Sequence, residues 1–149
     1  MKKKLVSILK QLDNYDVYGK RDVEVIGISD DSRKVSDGDL FIAIKGQNYD
    51  GHKYITKAIK KGAKVVVGEI SPKKDWTKNI TYVKTKNSRK ALGLIASSWY
   101  GNPSKKLEVI GVTGTDGKTT TATIIYHLLK SARKNVGLIS TVKVIVGEK

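Results

Sequence analysis

A glycine-rich segment over residues 111–120 carries the most specific chemical pattern in the chain. Gly114 and Gly117 permit backbone conformations that turn successive N–H groups toward one anion. A helix that begins near Lys118 would add free N–H groups and the positive end of its dipole. Lys118 would reach the β- and γ-phosphates of a nucleotide, and the Thr119 hydroxyl would ligate Mg²⁺. The segment therefore predicts a site for nucleotide phosphates.

This segment departs from the common phosphate-loop pattern G-x-x-x-x-G-K-[ST], which requires glycine where Val112 stands. Gly111 lies one residue too early. The competing interpretation is an ordinary strand-to-helix turn with an exposed lysine, because short motifs also arise by chance. A predicted strand before the turn, a predicted helix after it and the second glycine favour phosphate binding, with Thr120 as a further polar contact.

Strands and helices alternate along the chain, which predicts an α/β fold. The turn formers at residues 101–104 predict a linker between a first domain, residues 1–104, and the beginning of a second, residues 105–149. Residues 142–146 either prolong the last strand or form a further one. The predicted strands cover residues 23–28, 40–44, 64–68, 80–83, 107–112 and 136–141. The predicted helices cover residues 4–12, 52–62, 88–100 and 118–133. The inward face of the last helix is predicted to carry Ile125, Leu128, Leu129 and Ala132.

The composition excludes several classes of protein. No cysteine is present, so disulfide scaffolds, thiolate catalysis and cysteine-ligated zinc are excluded. No apolar run approaches the roughly 20 residues that cross a bilayer. The apolar stretch behind the basic N-terminus is too short for a secretory signal. The sequence therefore predicts a cytoplasmic protein with no membrane partner.

The positive charge is large, because 29 Lys and Arg stand against 14 Asp and Glu in 149 residues, a formal net charge of +15. Nucleic-acid binding is one interpretation, since Lys and Arg on phosphates release counterions. The lysines are spread along the chain, however, without an arginine-rich helix or a ladder of aromatic residues. A solvated surface that helps to attract an anionic small substrate is favoured, and no nucleic-acid partner is predicted.

Few other polar residues have the spacing of a catalytic or metal site. His52 and His127 are far apart in sequence, and we assign both to structural roles at helices. Asp30 and Asp31 are adjacent, and adjacent side chains do not converge on one substrate, so acid–base catalysis is not predicted there.

Residues 111–121 closely resemble the ATP loop of the Mur ligase family, whose pattern is TGT-N-GK-[TS]. Residues 31–46 and 50–63 resemble two stretches of that family's N-terminal domain, in matching order and spacing. The TGT form of the loop, together with residues 137–142, is closer to the MurE type of this family than to the MurF type. The resemblance extends from residue 25 to residue 142.

The resemblance implies an ATP-dependent amide ligase of peptidoglycan synthesis. Such enzymes phosphorylate the C-terminal carboxylate of a UDP-MurNAc-peptide, and the amine of an incoming amino acid then displaces phosphate from the acyl phosphate. The implied cofactors are ATP and Mg²⁺, and the implied partners are the UDP-MurNAc-peptide and the amino acid. The implied fold is a small α/β UDP-binding domain followed by the first β-strand, phosphate loop, helix and β-strand of a parallel-sheet ATPase domain.

The same resemblance assigns substrate contacts in the first domain. Asp30 and Ser32 fall where family members contact the uridine diphosphate, and Gln47, Asn48 and Tyr49 fall on the second contact loop. A hydroxyl group and loop amides suit uracil edges and phosphate oxygens. For Ser32, a turn fixed by side-chain-to-backbone hydrogen bonds stays an alternative interpretation.

At the ATP loop, the resemblance gives Lys118 the catalytic position and Thr119 the Mg²⁺ position. Asp116 stands where the family has asparagine, and a carboxylate beside a polyphosphate should weaken ATP binding unless a cation compensates. The implied ATP-binding residues are Gly114, Thr115, Asp116, Gly117, Lys118, Thr119 and Thr120.

The chain is short for this family. Residue 149 falls one β-α-β unit into the ATPase domain, before the family's Mg²⁺-binding acidic residue, carbamylated lysine, adenine pocket and amino-acid-binding domain. We therefore expect the N-terminal part of a ligase, inactive alone, whose second domain could mediate self-association through its uncovered apolar face. A non-catalytic module that binds a UDP-sugar or nucleotide and a MurF-type ligase stay open as alternatives.

Overall fold

The computed structural model describes residues 1–47 and 49–147. The chain forms two compact units, the first covering Met1–Leu107 and the second beginning at Glu108. Both contain helices and strands, which confirms the predicted α/β class. Along the described residues, no helix is long and apolar enough to cross a membrane.

A five-stranded sheet forms the centre of the first unit. The strands of this unit are β1 (Lys3–Lys4), β2 (Tyr15–Tyr18), β3 (Glu24–Val25), β4 (Ile28–Ser29), β5 (Leu40–Ile42), β6 (Val65–Gly68) and β7 (Thr81–Thr85). The order across the sheet is β2-β7-β6-β5-β4. Neighbouring strands from β4 to β7 are parallel, whereas β2 pairs antiparallel with β7 at one edge. A separate antiparallel pair joins β1 and β3.

Short helices connect these strands. They are α1 (Leu5–Ile8), α2 (Ile55–Lys60), α3 (Lys74–Thr77) and α4 (Ser88–Trp99), with 3₁₀ turns at Leu9–Gln11, Gly51–Tyr54 and Pro103–Lys106. Asn87 caps α4, because its side chain accepts a hydrogen bond from the Lys90 N–H at 2.8 Å.

Strands β5 and β6 are buried on both faces of the sheet, which explains why their sequences are continuous apolar runs rather than alternating ones. Side chains on the two faces belong to two separate apolar clusters. One cluster contains Leu5, Ile8, Leu40, Ile42, Val65, Val67, Ile95 and Trp99, and the other contains Phe41, Ile55, Ala58, Val66, Trp76 and Tyr82. Each fully buried Leu, Ile, Val or Phe contributes roughly 1.5–3 kcal/mol, so this core fixes the loops at the strand ends.

The predicted strand over residues 23–28 is divided in the structure. Residues 24–25 form β3, whereas residues 28–29 form β4 in the main sheet. The division falls beside Gly27, where a Cβ atom would clash with the Asp39 carboxylate. The Gly27 carbonyl also accepts a hydrogen bond from the Leu40 N–H. The two halves of this apolar run thus pair with different strands, β3 with β1 and β4 with β5.

The second unit contains helix α5 (Lys118–Ser131) and an antiparallel hairpin of β8 (Leu138–Ile139) and β9 (Val144–Ile145). Residues 142–146 therefore contribute a further strand. Tyr126 and Leu138 are the buried apolar side chains within the described part of this unit.

Two local predictions for the second unit are wrong. Residues 107–112 form no strand, and Val109 and Ile110 are 76% and 60% exposed. A strand requires the N–H and C=O groups of a neighbour, and no described strand pairs with this segment. The predicted inward face of the last helix is wrong at Leu128, which is 65% exposed, and at Ala132, which is also exposed.

Candidate functional site

A groove of about 600 Å³ lies in the first unit, beyond the carboxyl end of β4. Ligands of open α/β sheets commonly bind outside the carboxyl ends of the strands. Three separate segments supply its lining, namely the turn after β4, the loop after β5 and the start of α2. The described lining residues are Asp30, Asp31, Ser32, Arg33, Lys34, Tyr49, Tyr54 and Lys57.

The turn after β4 is held by Asp31 and Ser29. One Asp31 carboxylate oxygen accepts hydrogen bonds from the Arg33 N–H at 2.9 Å and from Arg33 Nε at 3.0 Å. The other carboxylate oxygen contacts Arg33 Nη2 at 2.9 Å. The Ser29 hydroxyl donates to the Asp31 carbonyl and accepts from the Asp31 N–H. The side-chain-to-backbone bonds that fix this turn thus come from these two residues.

This ion pair changes the electrostatics of the groove. The Arg33 side chain, followed by its backbone N–H, lowers the pKa of Asp31 to about 2. The Asp31 carboxylate therefore stays charged at neutral pH and compensates the Arg33 guanidinium. Lys34 and Lys57 then supply the remaining positive charge of the lining, beside the carboxylate of Asp30.

The opposite wall of the groove is aromatic. The rings of Tyr49 and Tyr54 have centroids 5.9 Å apart and planes inclined by 35°. Their residues are 49% and 41% exposed, so both rings offer surface to the groove. Partial burial raises the pKa of the Tyr49 phenol.

Buried polar contacts support the loop that carries Tyr49. The Asp50 carboxylate accepts from the His52 N–H at 3.0 Å and lies 2.6 Å from His52 Nδ1. His52 Nε2 accepts from the Glu69 N–H at 2.9 Å, which assigns the imidazole proton to Nδ1. The Glu69 carboxylate in turn accepts from the N–H and hydroxyl of Ser88, both at 2.8 Å. These contacts, led by the His52 N–H for Asp50 and the Ser88 N–H for Glu69, lower the pKa of each carboxyl group.

The groove brings together Asp30, Ser32 and Tyr49 among the predicted substrate contacts. Gln47 is exposed and is not among the described lining residues, and Asn48 lies outside the described residues. Sequence reasoning did not select Tyr54 or Lys57. Their spacing of three on a turn that continues into α2 was the available signal, because such a spacing places two side chains on one face.

The second candidate site is the loop before α5. Gly114 has a φ of +147° and Gly117 a φ of +73°, conformations that favour glycine. Gly117 is the N-cap of the helix, and its carbonyl accepts the first helical bond, from the Thr121 N–H at 2.9 Å. The N–H groups of the first helical residues therefore lack intrahelical acceptors and are available to an anion.

Lys118 lies against this loop. Its ammonium group donates to the carbonyl oxygens of Thr115, at 2.7 Å, and Gly114. Thr119 is half-buried, and Asp116 and Thr120 are exposed. The loop thus gathers backbone N–H groups, one ammonium group and a hydroxyl group. These are the groups with which phosphate loops bind a nucleoside triphosphate and its Mg²⁺.

Within residues 1–47 and 49–147, no group of three or more His, Asp or Glu side chains could hold a metal ion. Mg²⁺ commonly takes few protein ligands and is held largely by substrate phosphates and water. The predicted Thr119 position is compatible with that kind of coordination.

The first unit is an α/β sheet with a polar groove beyond one strand end, and the second unit places a loop with two glycines before a helix. Two family models match the chain, "Mur ligase family, catalytic domain" over residues 24–100 and "Mur ligase middle domain" over residues 112–149. The chain belongs to the Mur ligase family.

Curated relatives carry the name UDP-N-acetylmuramoyl-L-alanyl-D-glutamate--2,6-diaminopimelate ligase. The protein of Clostridium tetani is 44% identical over 147 residues, which is 98% of this chain and 30% of the relative. That of Cytophaga hutchinsonii is 47% identical over 133 residues, 89% of this chain and 27% of the relative. The chain thus spans about 30% of the length of the curated relatives it matches.

Solved structures of the same family share the fold. MurF from Acinetobacter baumannii is 29% identical with a TM-score of 0.55, over 73% of this chain and 23% of that protein. MurF ligase from Thermotoga maritima, solved in complex with ADP, is 34% identical with a TM-score of 0.52, over 70% of this chain and 23% of that protein.

Proposed function

We propose that the chain is the front part of an ATP-dependent amide ligase of the MurE type, which adds an amino acid to UDP-MurNAc-dipeptide through an acyl phosphate. In this proposal residues 1–104 bind the UDP end of the substrate, and residues 105–149 begin the ATP-binding domain. The observation that supports this proposal best is that one chain contains both a groove at the strand ends and a glycine-rich loop before a helix. The two family matches cover both regions. The names of the curated relatives support the MurE type.

The groove would anchor the uridine diphosphate. Asp30 and Ser32 present a carboxylate and a hydroxyl group for the uracil and ribose edges, and Tyr49 borders them. Gln47 and Asn48 are proposed as further contacts on the second loop. The diphosphate would lie toward the cationic lining, because opposite charges attract strongly in a partly enclosed site.

The loop before α5 would hold the phosphates of ATP. Its backbone N–H groups, together with Thr115 and Thr120, would surround the phosphates, and Lys118 would neutralise the charge that develops on the transferred group. That role requires Lys118 to leave the loop carbonyls on which its ammonium group rests. Bound Mg²⁺, with Thr119 as a ligand, would neutralise further phosphate charge.

Catalysis is proposed for the longer ligase rather than for these 149 residues. The chain spans about 30% of relatives such as the Clostridium tetani protein. The amino acid that is added is therefore not assigned by these residues. A MurF-type ligase is the second candidate, which the fold likeness to MurF structures favours, and a non-catalytic nucleotide-binding module is the third.

Calorimetric titration with UDP, with AMP as the control nucleotide, tests the anchoring role. We expect selective UDP binding that is abolished by Ser32→Ala combined with Asn48→Ala. Ser104→Ala, an exposed position in the same unit, is the matched control and should bind as the wild type does. A folded chain that binds neither nucleotide, or binds both equally, would contradict the proposal.

The ATP loop is tested with Lys118→Ala, for which we expect loss of Mg-ATP binding. Lys130→Ala is the matched control, because Lys130 is an exposed lysine in the last turn of the same helix. Equal effects of the two substitutions would show that Lys118 acts only through the general positive charge.

A further inference from the structure

Two tyrosines contribute neighbouring aromatic rings to the lining of the groove in the first unit. Tyr49 and Tyr54 lie with ring centroids 5.9 Å apart, and both are among the lining residues. Each is more than two-fifths exposed, although aromatic rings of this size stabilise a protein most when they are buried. Two half-exposed rings that share one groove therefore offer aromatic surface to a ligand.

The protein backbone holds these rings in place. Tyr49 closes a tight loop in which its carbonyl accepts a hydrogen bond from the Gly46 N–H at 2.7 Å. A Cβ atom on Gly51 would lie 3.3 Å from the Tyr49 hydroxyl and 2.8 Å from the backbone of Ile44. Gly51 thus leaves the space across which the Tyr49 side chain lies. Tyr54 ends the 3₁₀ turn that Asp50 caps.

The rest of the groove suits the remaining parts of a nucleotide. Asp30 and Ser32 provide polar groups, and Lys34 and Lys57 provide cations that no ion pair described in the structure engages. A planar heterocycle stacks on aromatic rings, whereas a diphosphate is bound by cations. Only a ligand with a planar ring and an anionic group uses both kinds of surface at once.

We propose that Tyr49 and Tyr54 form the stacking surface for the base of the bound nucleoside diphosphate, and that Tyr49 sets the affinity for that base. This inference rests on the proposed function, since it specifies how the same groove recognises its ligand. The phosphates are bound independently of the rings, so the two parts of the ligand can be tested separately.

The experiment compares UDP with inorganic pyrophosphate, which has the charge but no base. We expect Tyr49→Leu to weaken UDP binding about tenfold, in line with the worth of one stacked base, and to leave pyrophosphate binding unchanged. Tyr49→Phe keeps the ring and should bind UDP within about twofold of the wild type. Tyr100→Leu is the matched control, because Tyr100 is 69% exposed and lies outside the groove lining.

Proton NMR of the ligand gives a second readout that a merely structural role would not change. A ring stacked on tyrosine should have its uracil H5 and H6 resonances moved upfield, and Tyr49→Leu and Tyr54→Leu should each reduce that shift. Unchanged pyrophosphate affinity shows that a variant is folded and its cations are in place.

The outcomes separate this inference from the function on which it rests. UDP binding by the wild type with equal affinity and equal proton shifts in both leucine variants would overturn the stacking surface and leave the anchoring role intact. Absence of UDP binding by the folded wild type would overturn both. Equally weakened binding of UDP and pyrophosphate by Tyr49→Leu would also overturn the stacking surface, because the ring would then affect the shape of the whole groove.

Discussion

We propose phosphate-bearing ligands for both the groove of the first unit and the loop before α5 in the second, and these two regions rest on different amounts of packed structure. The groove lies at the end of a sheet whose central residues, such as Phe41 and Val66, are fully buried. The loop precedes α5, in which Tyr126 is the one buried residue of the helix. One site is thus supported by a core, and the other by a single helix end.

The two sites also differ in which atoms would recognise the ligand. The groove presents side chains from three segments, so its shape depends on tertiary packing. The loop presents backbone N–H groups whose directions are set by Gly114 and Gly117. A backbone site can be formed by local sequence alone, whereas a side-chain site needs a rigid support around it.

The largest expected contrast is in stability. Phe41→Ala removes a fully buried ring and should lower the free energy of unfolding of the first unit by about 3–5 kcal/mol. Leu128→Ala in α5 removes an exposed side chain and should change the free energy of unfolding of the second unit by no more than about 0.5 kcal/mol. Urea unfolding followed by the fluorescence of Trp76 and Trp99, both in the first unit, measures the first effect, and helix circular dichroism measures the second. Similar losses of unfolding free energy in both variants would contradict the expected difference between the two units.

A second substitution tests the polar support of the groove. His52→Ala leaves the Glu69 N–H and the Asp50 carboxylate without their imidazole partner, and should cost about 2 kcal/mol in unfolding free energy. His127→Ala is the matched control, because His127 is exposed on α5 and should have an effect below about 0.5 kcal/mol. We also expect weaker UDP binding only in the His52 variant. Normal stability of that variant would show that the buried contacts do not support the loop.

Local patterns were sufficient where the sequence itself determines the structure. The buried strands β5 and β6 were predicted from short apolar runs. The backbone of the loop before α5 was predictable for the same reason, because Gly114 and Gly117 adopt the conformations that favour glycine, whereas its phosphate-binding role stays a prediction. In each case the residues that matter are neighbours in the chain.

Tertiary contacts explain most of what the sequence could not predict. The division of residues 23–28 follows from pairing with two different strands, β1 and β5, which no local pattern contains. Tyr54 joins Tyr49 only because the turn at Asp50 brings the start of α2 back to the loop. The strand expected over residues 107–112 required a pairing partner, which apolar composition alone does not supply.

A smaller effect is expected at the phosphate loop. In the full-length ligase, Asp116→Asn removes an exposed carboxylate next to the proposed ATP phosphates and should tighten Mg-ATP binding several-fold, since one charge at about 4 Å in water is worth about 1 kcal/mol. The gain should shrink at high salt, because exposed charges are screened. Glu108→Gln, an exposed acidic position in the same unit, should have no comparable effect. Equal Mg-ATP affinities for the wild type and Asp116→Asn in calorimetric titration would contradict this account.

The smallest effect concerns the ion pair beside the groove. The folded-state pKa of Asp31, about 2, lies below its ordinary value of 3.8, so its contribution to stability is present above pH 3.8 and is lost as the pH falls through 2. Wild type should therefore be more stable than Asp31→Asn at pH 6, by a small amount because the pair is exposed. This difference in urea midpoint should decrease between pH 4 and pH 2.

Carboxyl-carbon NMR titration of Asp31 isolates the cause of that pH dependence. Arg33→Gln removes the side-chain partner but keeps the backbone N–H bond, so the pKa of Asp31 should rise only part of the way to its ordinary value. Lys34→Gln, the weakest contributor, should raise it less. If the two variants shifted the pKa equally, the general positive charge of the turn rather than the Asp31–Arg33 geometry would set it. The cations of the groove would then no longer divide into a compensated Arg33 and two lysines left for the ligand.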